Sequence, residues 1–310
     1  MSSKVFAAGM PTAPVSDLDL LEAESIHIIR EAAAEFRNPA MLYSAGKDSS
    51  VMLHLAQKAF CPARIPFPMV HVDTTYKFQE MIDFRDQTCA RLKLKLIVST
   101  NNAALKEGAN PFSLGTSACC KLLKTDALLS VLREHSIDGA LGGARREEEK
   151  SRAKERIFSF RDANGQWNPR KQRPELWALY NGRARRNETV RVFPLSNWTE
   201  LDIWRYVHRE QIPVVSLYFA QPRAVIVRGD ALIIQEPGSV VLPGDKVEIV
   251  TCRMRSLGCI HCTGALRSNA ASPSDIIDEL RVLRRSEREN RLIDHDQDSS
   301  MELKKAEGYF

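Results

Sequence analysis

The sequence predicts an α/β protein: a doubly wound parallel sheet with a small β-rich insertion and a C-terminal helical tail. Short apolar runs at 40–43, 69–73, 94–100 and 138–143 alternate with segments long enough for helices at about 49–60, 78–92 and 122–134. Strands that alternate with crossover helices pair in parallel and are covered on both faces. After residue 216 the texture changes. A-V-I-V-R-G-D-A-L-I-I-Q is two β-type runs about Arg-Gly-Asp, a hairpin signal, and V-L-P-G-D-K-V-E-I-V is a further strand candidate.

In chain order, residues 1–16 read as a flexible tail, too short and irregular for a signal peptide. Residues 17–36 put Leu21, Ile28, Ile29, Ala32 and Phe36 on one stripe of a surface helix. The main domain is expected over 17–215, and Thr199 three residues before Asp202 gives it a capping-box helix start near its end. The region 216–310 holds the insertion at 223–252, a Cys-x-x-Cys, a helix at I-I-D-E-L-R-V-L-R-R and a polar tail, S-M-E-L-K-K-A-E-G-Y-F. The charged stretch 144–173 reads, by itself, as a solvated helix face.

The chain has 310 residues, 44% of them hydrophobic, enough for one substantial core. No stretch reaches the roughly 18 consecutive apolar residues of a membrane span. Seven cysteines without the even spacing of a secreted disulfide scaffold point to a reducing, cytoplasmic setting. A net charge of +5 suits anionic small ligands and does not by itself argue for nucleic acid.

The chemistry is concentrated where strands end. Ser44-Ala45-Gly46-Lys47-Asp48-Ser49 follows the first strand and opens a helix, so backbone N–H groups and the helix dipole converge on a place that suits phosphate. A Walker A loop would need Gly at 41 and Ser or Thr at 48; the chain has Met41 and Asp48. Asp73 ends the second strand on the same sheet edge, where open α/β sheets bind ligands, and suits a magnesium-linked or ribose-facing role. Gly142-Gly143-Ala144-Arg145-Arg146 ends the fourth strand there too. Its glycines permit close backbone approach, and its arginines offer forked cationic donors for a tetrahedral oxyanion.

The loop resembles the Ser-x-Gly-x-Asp-Ser loop of the N-type ATP pyrophosphatases, the adenine nucleotide alpha hydrolase-like or PP-loop fold. The resemblance extends through L-E-A-E-S-I-H-I-I-R-E, G-G-A-R-R-E-E-E-K-S-R-A-K-E-R, R-V-F-P-L-S-N-W-T-E-L-D-I-W and the C-terminal tail, over about residues 20–310. These segments are similar to the ATP sulfurylase small-subunit family (sulfate adenylyltransferase subunit 2). The resemblance implies ATP and Mg2+ as cofactors and adenylation with release of pyrophosphate. It also implies Ser44, Gly46, Lys47, Asp48 and Ser49 on the pyrophosphate, Arg145 and Arg146 toward the α-phosphate or the oxyanion, and Lys150, Arg152 and Lys154 at the substrate approach. In that family the partner is a GTPase large subunit (CysN-like) and the acceptor is sulfate.

The cysteines depart from that pattern. Cys119-Cys120 followed far downstream by Cys259-x-x-Cys262 resembles the 4Fe-4S set of adenylylsulfate reductases and of DNA phosphorothioation proteins of the SspD/DndC kind. Zinc could use the same four ligands but is less suited, since adjacent cysteines crowd a tetrahedral site. Cys61, Cys89 and Cys252 read as ordinary thiols. The expectation favoured here is an SspD-like sulfur-incorporation enzyme with a 4Fe-4S cluster, a cysteine desulfurase partner and DNA-tracking basic residues at 145–156 and 183–191; the alternative is the sulfate adenylyltransferase subunit. No membrane partner is expected, and a homo-oligomer is possible in either case.

Overall fold

The computed structural model describes residues 15–282 except 186 and 238, and not the side chains of 150 and 151. The expectations for 1–14 and for the tail at 300–310 therefore lie outside the described residues. Helix α1 (Asp17–Glu35) begins at a Ser16 capping box, and its stripe of Ile28, Ile29 and Ala32 is buried, with Leu21 packed at the edge of the same core. Strand β1 (Pro39–Leu42) leads to helix α2 (Lys47–Phe60), strand β2 (Met69–Val72) to α3 (Gln79–Arg91), and strand β3 (Leu96–Ser99) to the short α4 (Asn102–Lys106).

The predicted helix at 122–134 starts earlier than its apolar spacing suggested. Asn110 caps helix α5 (Pro111–Cys120), accepting from the Phe112 and Ser113 amides, and Gly115 interrupts it at φ +74°. A π-type turn over Lys121–Asp126 then carries the chain into α6 (Ala127–Glu134). Strand β4 (Gly139–Leu141) and the four-residue α7 (Lys150–Ala153) precede strands β5 (Phe158–Arg161) and β6 (Thr189–Val192), and α8 (Glu200–Glu210) follows behind the predicted Thr199–Asp202 capping box.

The main sheet has the order β3-β2-β1-β4-β6-β5. Every pairing is parallel except that of β5 with β6. One face packs Met41, Met69 and Leu141 against α1 and α2; the other packs Ala40, Val70 and Ala140 against Leu128, Val131 and Leu132 of α6. Each aliphatic side chain so buried contributes about 1.5–3 kcal/mol, and burial on both faces explains why these strands read as apolar runs. Strand order reverses between β1 and β4, so the loops leaving their carboxyl ends diverge and open a crevice.

Strands β7 (Gln221–Arg228), β8 (Ala231–Ile234), β9 (Lys246–Arg253) and β10 (Leu266–Arg267) form a second, antiparallel sheet of order β10-β9-β7-β8. Arg228 pairs with Ala231, leaving the two-residue turn Gly229-Asp230 with Gly229 at φ +57°, as the hairpin signal predicts. The strand expected at 241–250 starts only at Lys246, because Asp245 folds back to accept from the Leu242 amide at 2.7 Å. Helix α9 (Pro273–Val282) closes the described chain. The C-terminal region is tied to the main domain by a buried Arg255–Glu200 ion pair at 2.7 Å and by a β-bridge between Lys77 and Cys259.

Candidate active site

The β1–α2 loop is held by its own hydroxyls. Ser44 Oγ donates to Ser49 Oγ at 3.2 Å, the Gly46 amide donates to Ser44 Oγ at 3.3 Å, and Ser49 Oγ donates to the Gly46 carbonyl at 2.9 Å. Ala45 takes φ +60°, which turns the chain sharply into α2. The Lys47 amide donates to the buried Tyr218 hydroxyl at 2.8 Å, so a residue from outside the loop fixes its floor. On the neighbouring strand, His71 Nδ1 lies 2.8 Å from the Tyr43 carbonyl and ties the ends of β1 and β2 together. Burial first, then the positive charge of Lys77, lowers the His71 pKa to about 4, so its ring is neutral near pH 7.

The β4 loop lies directly against this one. A methyl group on Gly143 would meet Asp48 Cβ at 3.2 Å and the Asp48 carbonyl carbon at 3.3 Å, so only glycine lets the two backbones approach this closely. Arg145, fully buried, bonds Asp48 Oδ1 through Nε at 2.7 Å and reaches Glu147 through Nη1 at 3.2 Å; Lys47 Nζ holds the other Asp48 oxygen at 3.2 Å. Asp48 thus joins the two loops through Arg145 and is held within its own loop by Lys47.

Between the loops lies a cavity of about 260 Å3, and Ser44, Asp48, Ser49, Gly143, Glu148 and Arg152 line its polar part. Leu42, Val70, Val72 and Leu128 make an apolar wall wide enough for a base. Lys77 and Lys124 also line the cavity, and Leu257, Gly258, Cys262 and Thr263 close it from the C-terminal region. Apart from Cys262, sequence reasoning missed these residues. They come from segments with no local signature, and only the Lys77–Cys259 bridge brings the last group over the sheet edge.

The structure does not bring every expected residue to the cavity. Arg146 turns away: its Nη1 donates to Asn197 Oδ1, and its amide to the Ser196 carbonyl at 3.0 Å. Asp73 accepts from the Thr75 amide at 2.8 Å in the loop beyond β2, and Lys154 is exposed; neither lines the cavity. Gly142 continues the ladder, donating to the Val192 carbonyl at 2.8 Å. The Lys150 side chain lies outside the described residues.

The four cysteines expected to hold a cluster do gather. Cys119, Cys120, Cys259 and Cys262 all border one small buried cavity, and Cys120, Cys259 and Cys262 are in mutual contact. None of the four is in a disulfide. Cys262 is hydrogen-bonded to both Cys120 and Cys259, which with burial pushes its thiol up; the same bond from Cys262, with Lys124, Lys77 and Thr74, pulls Cys259 well below its usual range. Thr74 Oγ1 lies 3.1 Å from Cys259 Sγ. Burial, then Cys120 and Cys259, pushes Cys119 up to about 11.

The space between the thiols is about 10 Å3, near the minimum for one water molecule, and among the described residues no group of three or more His, Cys, Asp or Glu side chains is arranged to hold a metal ion. The four thiols are the donor set that a cluster would use and they face one cavity, but they engage each other there, and the 4Fe-4S expectation is not shown.

A phosphate-suited loop opening a helix at the switch point of a parallel sheet, with a glycine-packed second loop and buried arginine opposite, defines a nucleotide-binding α/β enzyme domain. Residues 38–265 match the phosphoadenosine phosphosulfate reductase domain, and the chain belongs to that family, in its sulfate adenylyltransferase subunit 2 branch. It is 59% identical over 299 residues to sulfate adenylyltransferase subunit 2 of Myxococcus xanthus (strain DK1622), covering 96% of this chain and 98% of that one. It is 58% identical over 294 residues to the protein of the same name from Magnetococcus marinus, covering 94% and 98% respectively. A crystal structure of phosphoadenylyl-sulfate reductase from Candida auris is similar at TM-score 0.46 and 16% identity, over 67% of this chain and 93% of that one. The protein is an adenylyl-transferring enzyme that uses ATP. Among the described residues no helix is long and apolar enough to cross a membrane.

Proposed function

We propose that the protein is the adenylyl-transferring subunit of a sulfate adenylyltransferase, converting ATP and sulfate to adenosine 5′-phosphosulfate and pyrophosphate with a GTPase large subunit as partner. The cavity at the β1/β4 crevice, whose two loops the Asp48–Arg145 pair joins, is the observation that carries this reading. The apolar wall of Leu42, Val70, Val72 and Leu128 takes the adenosine, and the start of α2 with Ser44 and Ser49 holds the β- and γ-phosphates. A sulfate oxygen attacks the α-phosphorus, and the bond from that phosphorus to the bridging oxygen breaks. The electron pair leaves with pyrophosphate, whose growing charge meets the α2 amides and Lys47. Arg152, Lys77 and Lys124 supply the cations that draw sulfate to the open side, replacing Arg146 and Lys154 in the expected roles.

Asp48 and Glu148 are the carboxylates that line the cavity, and their oxygen ligands suit the Mg2+ that accompanies ATP. When bound, the ion neutralises phosphate charge.

The relatives' shared name favours sulfate over a DNA acceptor. The test is pyrophosphate release measured with and without sulfate, and with and without the GTPase partner. Release that requires sulfate and rises with the partner and GTP supports the reading; release driven by single-stranded DNA and a cysteine desulfurase, with sulfate inert, overturns it.

A further inference from the structure

The four cysteines are too concentrated to be scattered core thiols. Two come from the end of α5 and two from the turn after β9, and chain folding places them in one buried cluster. Cys120, Cys259 and Cys262 touch, and Cys262 lies between the other two. Cys262 also lines the nucleotide cavity, and Lys124 borders both spaces. The thiol cluster and the ATP cavity therefore share a wall.

We propose that Cys120 and Cys262 form a redox modification site for hydroperoxides, in which an intersegment disulfide tethers the 259–263 turn to the end of α5 and withdraws the wall of the nucleotide cavity. The chemistry balances in two steps. One thiol attacks the hydroperoxide; its O–O bond breaks, giving a sulfenic acid on that cysteine and the corresponding alcohol. The second thiol then attacks the sulfenic sulfur, an S–S bond forms, and the oxygen leaves as water. The two thiols lose two electrons and two protons in all, and a dithiol reductant reverses the change. The turn transmits it: Cys259 and Thr263 are joined by a 3.1 Å hydrogen bond from Thr263 Oγ1 to the Cys259 carbonyl, and Thr263 lines the cavity beside Gly258. A shift of this wall is expected to weaken ATP binding by about tenfold, since misplacement by about 1 Å in an active site costs up to about 10²-fold.

The experiment treats reduced full-length protein with stoichiometric hydrogen peroxide, maps disulfides by peptide mass spectrometry, and measures ATP binding by fluorescence before and after. A Cys120–Cys262 linkage, with ATP affinity lowered by about tenfold and restored by dithiothreitol, is the expected result. Cys120→Ser, which lies outside the ATP cavity, should bind ATP normally when reduced and lose the peroxide response; Cys119→Ser should keep it. Stoichiometric iron or zinc in anaerobically purified protein overturns the proposal, as does a sulfinic acid without any disulfide, or a disulfide that leaves ATP affinity unchanged. Disulfide mapping and ATP binding need no acceptor, so they report on this site even where sulfate adenylation fails.

Discussion

Gly143 offers a narrow perturbation of the crevice. In Gly143→Ala the new methyl carbon would stand 3.2 Å from Asp48 Cβ, 3.3 Å from the Asp48 carbonyl carbon and 3.4 Å from the Ser49 nitrogen. Two of the three are backbone atoms at the start of α2, which cannot swing aside as a side chain would, so the loop must give by a few tenths of an ångström. In the proposed function the loop holds the phosphates, and misplacement by about 1 Å in a catalytic site costs up to about 10²-fold. A few tenths therefore predicts a rise of about three- to tenfold in the KM for ATP, or about 0.7–1.4 kcal/mol. The stability cost should be near the low end of overpacking, about 1 kcal/mol. The assay is pyrophosphate release against ATP concentration, beside thermal unfolding. Gly139→Ala is the control. Its methyl would press into the Phe36 ring at 2.2 Å, far from the phosphate loop, so it should lower Tm more and leave the KM for ATP unchanged. A Gly143→Ala enzyme within about twofold of wild type in KM would refute the close packing of the two loops as a functional feature.

Other perturbations test the same construction. Arg145→Ala removes a buried cation from Asp48 and Glu147; breaking such a pair costs about 3–5 kcal/mol, and urea unfolding should show it together with loss of pyrophosphate release. Tyr218→Phe removes the hydroxyl to which the Lys47 amide donates and should cost about 0.5–1.5 kcal/mol by the same measurement, with ATP affinity reduced. His71 has a folded pKa of about 4 against 6.5 when unfolded, so the unfolded chain binds more protons between those values. Stability should therefore be complete above about pH 6.5 and fall by about 3 kcal/mol as pH drops to about 4. His71→Gln should flatten that part of the acid-unfolding profile, and an unchanged profile would show that His71 is not its source.

The phosphate loop was legible because it obeys a local rule: a strand, small and hydroxyl residues, then a helix. The α1 stripe and the β7–β8 hairpin were legible for the same reason. Strands β5 and β6 were not, because F-S-F-R and T-V-R-V place arginines where an apolar alternation was sought. In the fold Arg161 is buried against Glu155 at 2.6 Å, and burial pushes the neighbouring Arg191 down to about 9. Tyr218, Lys77, Lys124 and Thr263 were invisible because they reach the crevice only through long-range contacts. Arg146 was misplaced because adjacent arginines on an extended backbone point in opposite directions: Arg145 goes inward to Asp48, and Arg146 outward to Asn197. The four cysteines were correctly grouped, but spacing reports neither the size of the gap between them nor what fills it.

The central claim is that the crevice activates sulfate on the α-phosphate of ATP. Its most direct test is formation of adenosine 5′-phosphosulfate from radiolabelled sulfate by the protein together with its GTPase partner. The account predicts label in the adenylate, equimolar pyrophosphate, and loss of both in Asp48→Ala. Pyrophosphate released without any sulfate-bearing adenylate, or undiminished product from Asp48→Ala, would contradict it.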